Sequence, residues 1–283
     1  MFLFLLFLRG IAPLPRQSYK PLAALLGLLL FVFAWERHRV GDQNLRIAFP
    51  ESGFFARKMR LLAHLYVFVL SFLDHAWLWF GTGKQLHDYV EIAGQEHIPA
   101  DRLSLWLAPH FVGLNIGGTR MAQAKSIVAI YVTQKNPTLD AVIRRSRERY
   151  YMPRLLSRQD GVRPLIKAFK EGFQVHYSPD LDVGSKDALF VDFFGEPAAT
   201  VTALPRLAGV TGAVIVPMLT FMTARGYRIQ FYPAWENYPS GDVAADLRRM
   251  NTFLETEIRA HPSQYFWLHK RYKTRPEGRP KLY

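Results

Sequence analysis

The chain has 283 residues, and its 36 Lys and Arg against 23 Asp and Glu give a formal net charge of +13. Hydrophobic residues make up 49% of the sequence and charged residues 21%, which excludes an intrinsically disordered chain and fits one large α/β domain. The absence of cysteine excludes a disulfide scaffold, a thiolate zinc site, an iron–sulfur cluster and a cysteine nucleophile. The sequence carries no zinc-finger spacing, RNP-type motif or basic zipper, so the charge does not indicate a nucleic-acid partner.

The N-terminus carries two apolar runs, Met1–Leu8 and Leu22–Trp35. The second run has 14 residues, fewer than the roughly 20 that a helix needs to cross a bilayer core. No small-residue cleavage site follows it, so residues 1–36 are predicted to be an uncleaved membrane anchor of two short helices lying in one leaflet. A third apolar run, Leu61–Phe80, contains three ionisable side chains, and we expect it to be an amphipathic helix packed on the rest of the protein.

Basic residues flank these apolar segments. Each Lys or Arg near an anionic membrane surface contributes about 1 kcal/mol to binding, so the clusters favour a membrane partner. By the positive-inside rule the flanks lie on the cytoplasmic side. The flanking residues are Lys20, Arg37, Arg39, Arg57, Lys58 and Arg60.

Residues 37–283 are predicted to form one α/β domain with a largely parallel sheet, because short apolar runs alternate with amphipathic helices. The two clearest helices are a charged surface helix over Asp140–Arg149 and a long amphipathic helix over Asp242–Ala260. The predicted strands are Leu103–Leu107, Ser126–Val132, Gly172–Tyr177, Ala213–Leu219 and Tyr227–Tyr232.

His110 is the candidate catalytic residue, because it directly follows the predicted strand that ends at Leu107. Ligands of open parallel sheets bind in the crevice beyond the carboxyl ends of the strands. A histidine there can act as a general base, since the ordinary pKa of the imidazole, near 6.5, lets it take a proton from a hydroxyl at neutral pH. A single histidine is also compatible with a purely structural hydrogen-bonding role. His176, within the third predicted strand, is interpreted as a strand residue.

Four segments, in this order, resemble the late acyltransferases of lipid A biosynthesis, the lauroyl and myristoyl transferases of the bacterial inner membrane. The resemblance covers nearly the whole chain. The segments are His38–Pro50, Pro109–Asn115 followed by Tyr131 and Arg147, Ser178–Asp180 with Phe190–Gly195, and Pro262–Pro276.

This resemblance implies a fold like that of glycerol-phosphate acyltransferases and the transfer of an acyl chain from an acyl carrier protein thioester to a hydroxyl of a lipid A precursor. It implies no metal and no cofactor. His110 would act as general base, and the second ring nitrogen would be held by a residue five positions later. The tetrahedral oxyanion of such a reaction needs hydrogen-bond donors, for which the backbone N–H groups near Gly113, Gly117 and Gly118 are candidates.

The sequence departs from the family at Asn115, where the family carries an acid. An amide can orient the His110 ring but cannot offset the charge of an imidazolium, and the loss in rate could be on the order of 10⁴. On this interpretation Asn115→Asp raises transferase activity sharply. Two alternatives stay open: an acyltransferase for another acceptor, such as a lysophospholipid, an ornithine lipid or a glycolipid, and a weakly active protein that only binds lipid or acyl carrier protein.

Two further residues match positions of the family. Arg147 is expected to bind a phosphate of the acceptor through its planar guanidinium. Asp180 is expected to position a sugar hydroxyl or to hold Arg147, and Gly113 is grouped with them as substrate-binding. The basic residues around Arg147 would suit either an anionic phosphoglycolipid or the acidic acyl carrier protein.

Overall fold

The computed structural model describes residues 2–131, 133–148, 154–157 and 161–283. The helices are α1 (Phe2–Ile11), α2 (Tyr19–Phe33), α3 (Trp35–Ala48), α4 (Phe54–Leu73), α5 (His75–Phe80), α6 (Gly83–Tyr89), α7 (Leu114–Met121), α8 (Pro137–Glu148), α9 (Arg163–Lys170), α10 (Ala203–Thr211) and α11 (Val243–Ala260). The strands are β1 (Val90–Ala93), β2 (Ser104–Leu107), β3 (Ile127–Tyr131), β4 (Arg154–Ser157), β5 (Gln174–Tyr177), β6 (Ala188–Phe193), β7 (Glu196–Val201), β8 (Val214–Met222) and β9 (Tyr227–Phe231).

Seven strands form one sheet in the order β1-β9-β8-β2-β5-β3-β4. All neighbouring pairs are parallel except β8 and β9, which pair antiparallel. The central strand β2 lies between β8 and β5, with Leu105 opposite both Ile215 and Val175. This arrangement confirms the predicted α/β fold with a largely parallel sheet, and it brings the ends of β2 and β5 side by side.

Both faces of the sheet are covered, as a parallel sheet requires. Leu105 and Leu107 of β2 pack into one apolar cluster with side chains of α3, α4, α9, α10 and α11. Trp106, which points to the opposite face, packs into a second cluster with side chains of α1, α2, α5 and α7. The alternation of a strand's side chains thus divides the core in two, and the N-terminal helices belong to the second half.

The predicted strands and helices are present in the described residues, with shifts of a few residues at their ends, while Val132 and Arg149 of two predicted elements lie outside those residues. Four strands beyond the prediction complete the structure. The strands β1 and β4 occupy the two edges of the sheet, and each contains a charged residue, Glu91 and Arg154, so neither stands out as an apolar run. The hairpin of β6 and β7 turns through Phe194 and Gly195, which both have positive φ (57° and 81°), the conformation of a tight two-residue hairpin turn. Phe193 and Phe194 are both buried in the core.

The N-terminal helices pack against the body of the protein. Gly27 of α2 lies against the backbone of Tyr66 in α4, where an added Cβ would come within 3.2 Å of two backbone atoms, so α2 and α4 are in close contact. Arg16, in the short turn before α2, is buried and donates to both oxygens of the buried Asp74 at 2.9–3.0 Å. Trp77 and Tyr227 also donate to Asp74, at 2.9 and 2.6 Å.

One continuous helical run, Phe54–Phe80, is long and apolar enough to cross a membrane, but 61% of its most apolar window is buried inside the protein. A second candidate consists of residues 16–33 and 35–48, which are bent by 91° at the break between them. The burial of the first run agrees with the predicted packing of Leu61–Phe80 on the rest of the protein.

Candidate active site

His110 and Asp180 form a hydrogen-bonded pair at the carboxyl ends of two adjacent strands. His110 follows β2 and Asp180 follows β5, and the two positions are 70 residues apart in the chain. Nδ1 of His110 lies 2.8 Å from one carboxylate oxygen of Asp180, and the backbone N–H of His110 donates to the other oxygen at 3.0 Å. The second contact fixes the orientation of the carboxylate, so the first holds the imidazole ring in one orientation.

Burial and charge set the state of this pair. The Asp180 side chain is 1% exposed, whereas that of His110 is 27% exposed. Burial alone would raise the pKa of Asp180, but the charge of His110 and its two hydrogen bonds hold that pKa below the ordinary value. The carboxylate is therefore ionised and can only accept a hydrogen bond, so the proton of a neutral His110 lies on Nδ1 and its Nε2 carries the free lone pair.

A cavity of about 1590 Å³ adjoins the pair, and His110 lies in its wall. This volume exceeds the 300–1,000 Å³ typical of small-molecule pockets, which leaves space for a long apolar chain. One part of the wall is aromatic and comes from α1, α4 and α5. Another part comes from α9, α10 and the loop before β6, and has cationic groups at Arg206 of α10 and Lys186 of that loop. The aromatic part contains Phe4, Phe68, Phe72 and Trp79.

Asn115 lies in the first turn of α7 and also lines the cavity, with its side chain on the exposed side of the helix. Its backbone oxygen accepts a hydrogen bond from the Thr119 hydroxyl at 2.8 Å. The contact to Nδ1 of His110, which the sequence assigned to position 115, is made by Asp180. The carboxylate that the sequence lacks at Asn115 is thus supplied from the neighbouring strand.

The other predicted site residues lie in different surroundings. Asp180 is buried and both of its oxygens contact His110, and its predicted role in substrate binding stays a prediction. Arg147 belongs to α8, but its side chain lies outside the described residues, and its predicted role stays a prediction.

The glycines of α7 are explained mainly by close packing. A Cβ on Gly113 would meet the Thr220 carbonyl oxygen at 2.5 Å, and one on Gly117 would meet the Thr220 hydroxyl at 2.0 Å. The Gly117 N–H donates to the Gly113 carbonyl at 2.9 Å, so that donor is used within the helix. Gly118 lines the cavity. The proposed substrate contacts of Gly113 and Gly118 stay predictions.

The sequence contains a sign of the Asp180–His110 pair. Ser178–Asp180 follows the strand β5 just as Pro109 and His110 follow β2, and acids at strand ends collect at one edge of a parallel sheet. The sequence pattern does not show the order of the strands in the sheet, and it is this order that makes β2 and β5 neighbours.

The chain is thus an α/β domain with a hydrogen-bonded histidine–aspartate pair on the wall of a wide, mostly apolar cavity. The sequence matches the family described as bacterial lipid A biosynthesis acyltransferase over residues 1–274. The chain belongs to this family, and it is an acyltransferase.

Relatives of nearly full length agree with the assignment. The chain is 30% identical to the lipid A biosynthesis lauroyltransferase of Escherichia coli K12, over 96% of this chain and 91% of the relative. It is 30% identical to the myristoyltransferase of the same organism over 95% and 85%, and 27% identical to the palmitoleoyltransferase over 95% and 90%.

A solved structure, the 1-acyl-sn-glycerophosphate acyltransferase of Thermotoga maritima, aligns with 86% of this chain and 96% of its own at 15% identity and a TM-score of 0.38. At that score the likeness adds nothing to the assignment.

Proposed function

We propose that this protein transfers a fatty acyl chain from an acyl carrier protein thioester to a hydroxyl of a lipid A precursor, with His110 as general base. The observation that carries the proposal is the His110–Asp180 pair on the wall of the large apolar cavity. The named relatives act in lipid A biosynthesis, which supports a lipid A precursor as the acceptor.

The pair supports a direct transfer. The hydroxyl of the acceptor gives its proton to Nε2 of His110 while its oxygen attacks the thioester carbonyl, and the negative charge of Asp180 stabilises the imidazolium that forms. The attack forms the new carbon–oxygen bond and a tetrahedral oxyanion. The collapse of this oxyanion breaks the carbon–sulfur bond, and the proton passes from His110 to the departing thiolate. Asp180 acts through His110, as a positioning and charge-stabilising residue.

The cavity supports a lipid substrate. Its aromatic wall includes the stacked rings of Phe4 and Phe72, whose centroids lie 5.5 Å apart. Phe72 is 45% exposed, and Phe4 belongs to α1, so the aromatic wall includes a side chain of the predicted anchor. We propose that an acyl chain lies along this wall.

The apolar surface supports attachment to a membrane. Large apolar side chains on α1, α2 and the first turns of α4 are exposed, which is unfavourable in water and favourable in a leaflet. We propose that residues 1–36 anchor the protein to the inner membrane and that the domain of residues 37–283 lies on the cytoplasmic face. The exposed side chains include Phe2, Leu3, Phe7, Leu25, Leu28, Leu29, Val32, Phe33, Phe54 and Phe55.

The experiment incubates the purified protein with acyl carrier protein thioesters and a lipid A precursor and follows the lipids by mass spectrometry. We expect a mass gain of one acyl group for the wild type and none for His110→Ala. A gain on a lysophospholipid or ornithine lipid, with none on the lipid A precursor, would assign the protein to another acceptor. Full activity of His110→Ala would contradict the base assignment.

A further inference from the structure

The segment His38–Pro50, which contains Asn44, is one of the four segments that resemble the family. It has no part in the chemistry proposed above. Asn44 lies in α3 and is 2% exposed. Its amide nitrogen donates to the carbonyls of Trp267 and His269 at 2.7 and 2.8 Å, and its amide oxygen accepts from the Tyr283 hydroxyl. Three hydrogen bonds of one buried side chain are therefore made to the C-terminal part of the chain.

The C-terminal segment, residues 262–274, is in turn bonded to the loop that carries His110. The Phe266 N–H donates to the His110 carbonyl at 3.0 Å, and the Val112 N–H donates to the Gln264 carbonyl at 2.9 Å. The Gln264 side chain also bonds both backbone groups of Met222 at the end of β8, at 2.6 and 3.1 Å. This fixes the segment to the sheet on one side and to the His110 loop on the other.

The same segment holds the loop that carries Asp180. The Asp182 N–H donates to Nε2 of His269 at 3.0 Å. The carboxylate of Asp182 accepts from the backbone N–H and the hydroxyl of Thr274, at 2.7 and 2.8 Å. Each member of the His110–Asp180 pair thus sits on a loop that is bonded to the C-terminal segment.

Loops are the mobile parts of a fold, and a misplacement of about 1 Å can cost on the order of 10²-fold in rate. We propose that Asn44 is a positioning residue: by holding the C-terminal segment, it fixes the distance between His110 and Asp180. The positioning of the two loops stands on the geometry alone, whereas its effect on turnover rests on the proposed function.

The first test is hydrogen exchange at the Val112 and Asp182 amides in Asn44→Ala and in the isosteric Asn44→Asp, which cannot donate. In both variants we expect exchange at the Val112 and Asp182 amides to be at least tenfold faster than in the wild type. The matched control is Asn251→Ala. Asn251 lies on α11, is likewise buried, and its amide donates to the Asp192 carbonyl at 2.8 Å. Equal exchange in the Asn44 variants and the control would overturn the proposal.

The second test compares kcat and KM for acyl transfer. Asn44 does not line the cavity, so we expect kcat to fall about 10- to 100-fold with KM within twofold of the wild type, while Asn251→Ala keeps its kcat. Faster exchange with an unchanged kcat would overturn the proposed effect of Asn44 on the rate of acyl transfer. A wild type that transfers no acyl group would overturn the proposed function, and the exchange result would still decide the positioning of the loops.

Discussion

Asp180 governs the state of His110 through two hydrogen bonds of different kinds. One oxygen accepts the backbone N–H of His110, and the other accepts Nδ1–H. Together they require a group with two acceptors and no donor, which only an ionised carboxylate provides. The Asn115 side chain lies on the exposed side of α7, where it lines the cavity.

Asp180→Asn is expected to lower the transfer rate by about 10⁴. If the amide oxygen accepts the backbone N–H of His110, the amide NH₂ faces Nδ1, and the ring must hold its proton on Nε2, where a base needs a lone pair. Steady-state kinetics check this, with circular dichroism to show that the variant is folded. A loss below tenfold would contradict the assignment of Asp180.

Asn115→Asp is expected to change the rate by less than tenfold, in contrast to the sharp rise that the sequence alone predicts. The reason is that Asp180 already holds Nδ1 at 2.8 Å. The same kinetic assay checks this variant beside Asp180→Asn. A gain of 100-fold or more would restore Asn115 as the missing acid of the site.

His64 makes stability depend on pH. It is fully buried in α4, its Nδ1 lies 3.0 Å from the Ser263 carbonyl, and burial lowers its pKa from 6.5 to about 4. The unfolded chain takes up this proton below about pH 6.5 and the folded chain does not, so stability falls from pH 6.5 to about pH 4. This difference in pKa corresponds to about 3 kcal/mol.

His64→Asn keeps a donor near the Ser263 carbonyl and removes the titration. We expect the variant to lose less stability than the wild type between pH 6.5 and pH 4, measured by urea unfolding. Asn251→Ala, which removes a buried amide, should keep the wild-type slope. Equal slopes for His64→Asn and the wild type would show that His64 does not cause the acid loss.

At the scale of elements, the buried ion pair of Arg16 and Asp74 connects the N-terminal helices to the rest of the protein. Arg16 lies within the predicted anchor, and Asp74 lies where α4 meets α5. Tyr227 of β9 donates to the same carboxylate. The predicted anchor is therefore bonded to the sheet, and its helices also form a wall of the cavity through Phe4.

Arg16→Met is expected to destabilise the protein by about 3–5 kcal/mol, because it leaves the Asp74 carboxylate buried without its cation. The double variant Arg16→Met, Asp74→Leu should be less destabilised than Arg16→Met alone. Chemical unfolding in detergent measures both. Lys84→Ala, which breaks the exposed pair with Asp88, is the control and should cost under about 1 kcal/mol. A cost below 1 kcal/mol for Arg16→Met would contradict the role of the pair.

At the scale of the whole molecule, charge and apolar exposure both support the proposed attachment to a membrane. The exposed face of α2 carries Leu25, Leu29 and Phe33 at helical spacing, and the net charge of +13 favours an anionic surface. The hairpin also exposes Leu189 and Phe190, which are remote in sequence from this face. Substitutions in the hairpin set can therefore serve as the control for substitutions in the α2 set, because both sets remove exposed apolar side chains.

The triple variant Leu25→Gln, Leu29→Gln, Phe33→Gln is expected to bind anionic phosphatidylglycerol vesicles roughly 100-fold more weakly or worse, because each side chain contributes about 2 kcal/mol on burial. The unfolding temperature should not fall, since the three side chains are exposed. Vesicle sedimentation checks binding, with Leu189→Gln, Phe190→Gln as the control. Equal binding of the triple variant and the control would place the membrane contact elsewhere.

The sequence by itself determined the α/β class, the strands of the centre of the sheet and the choice of His110, because these depend on local periodicity and on a motif that is continuous in the chain. The edge strands β1 and β4 each contain a charged residue, Glu91 and Arg154, so they do not stand out as apolar runs. Only the tertiary structure decided which carboxylate His110 uses. Asp180 is 70 residues away, and it reaches His110 because β5 lies beside β2 in the sheet, an adjacency that is set by packing over the whole molecule.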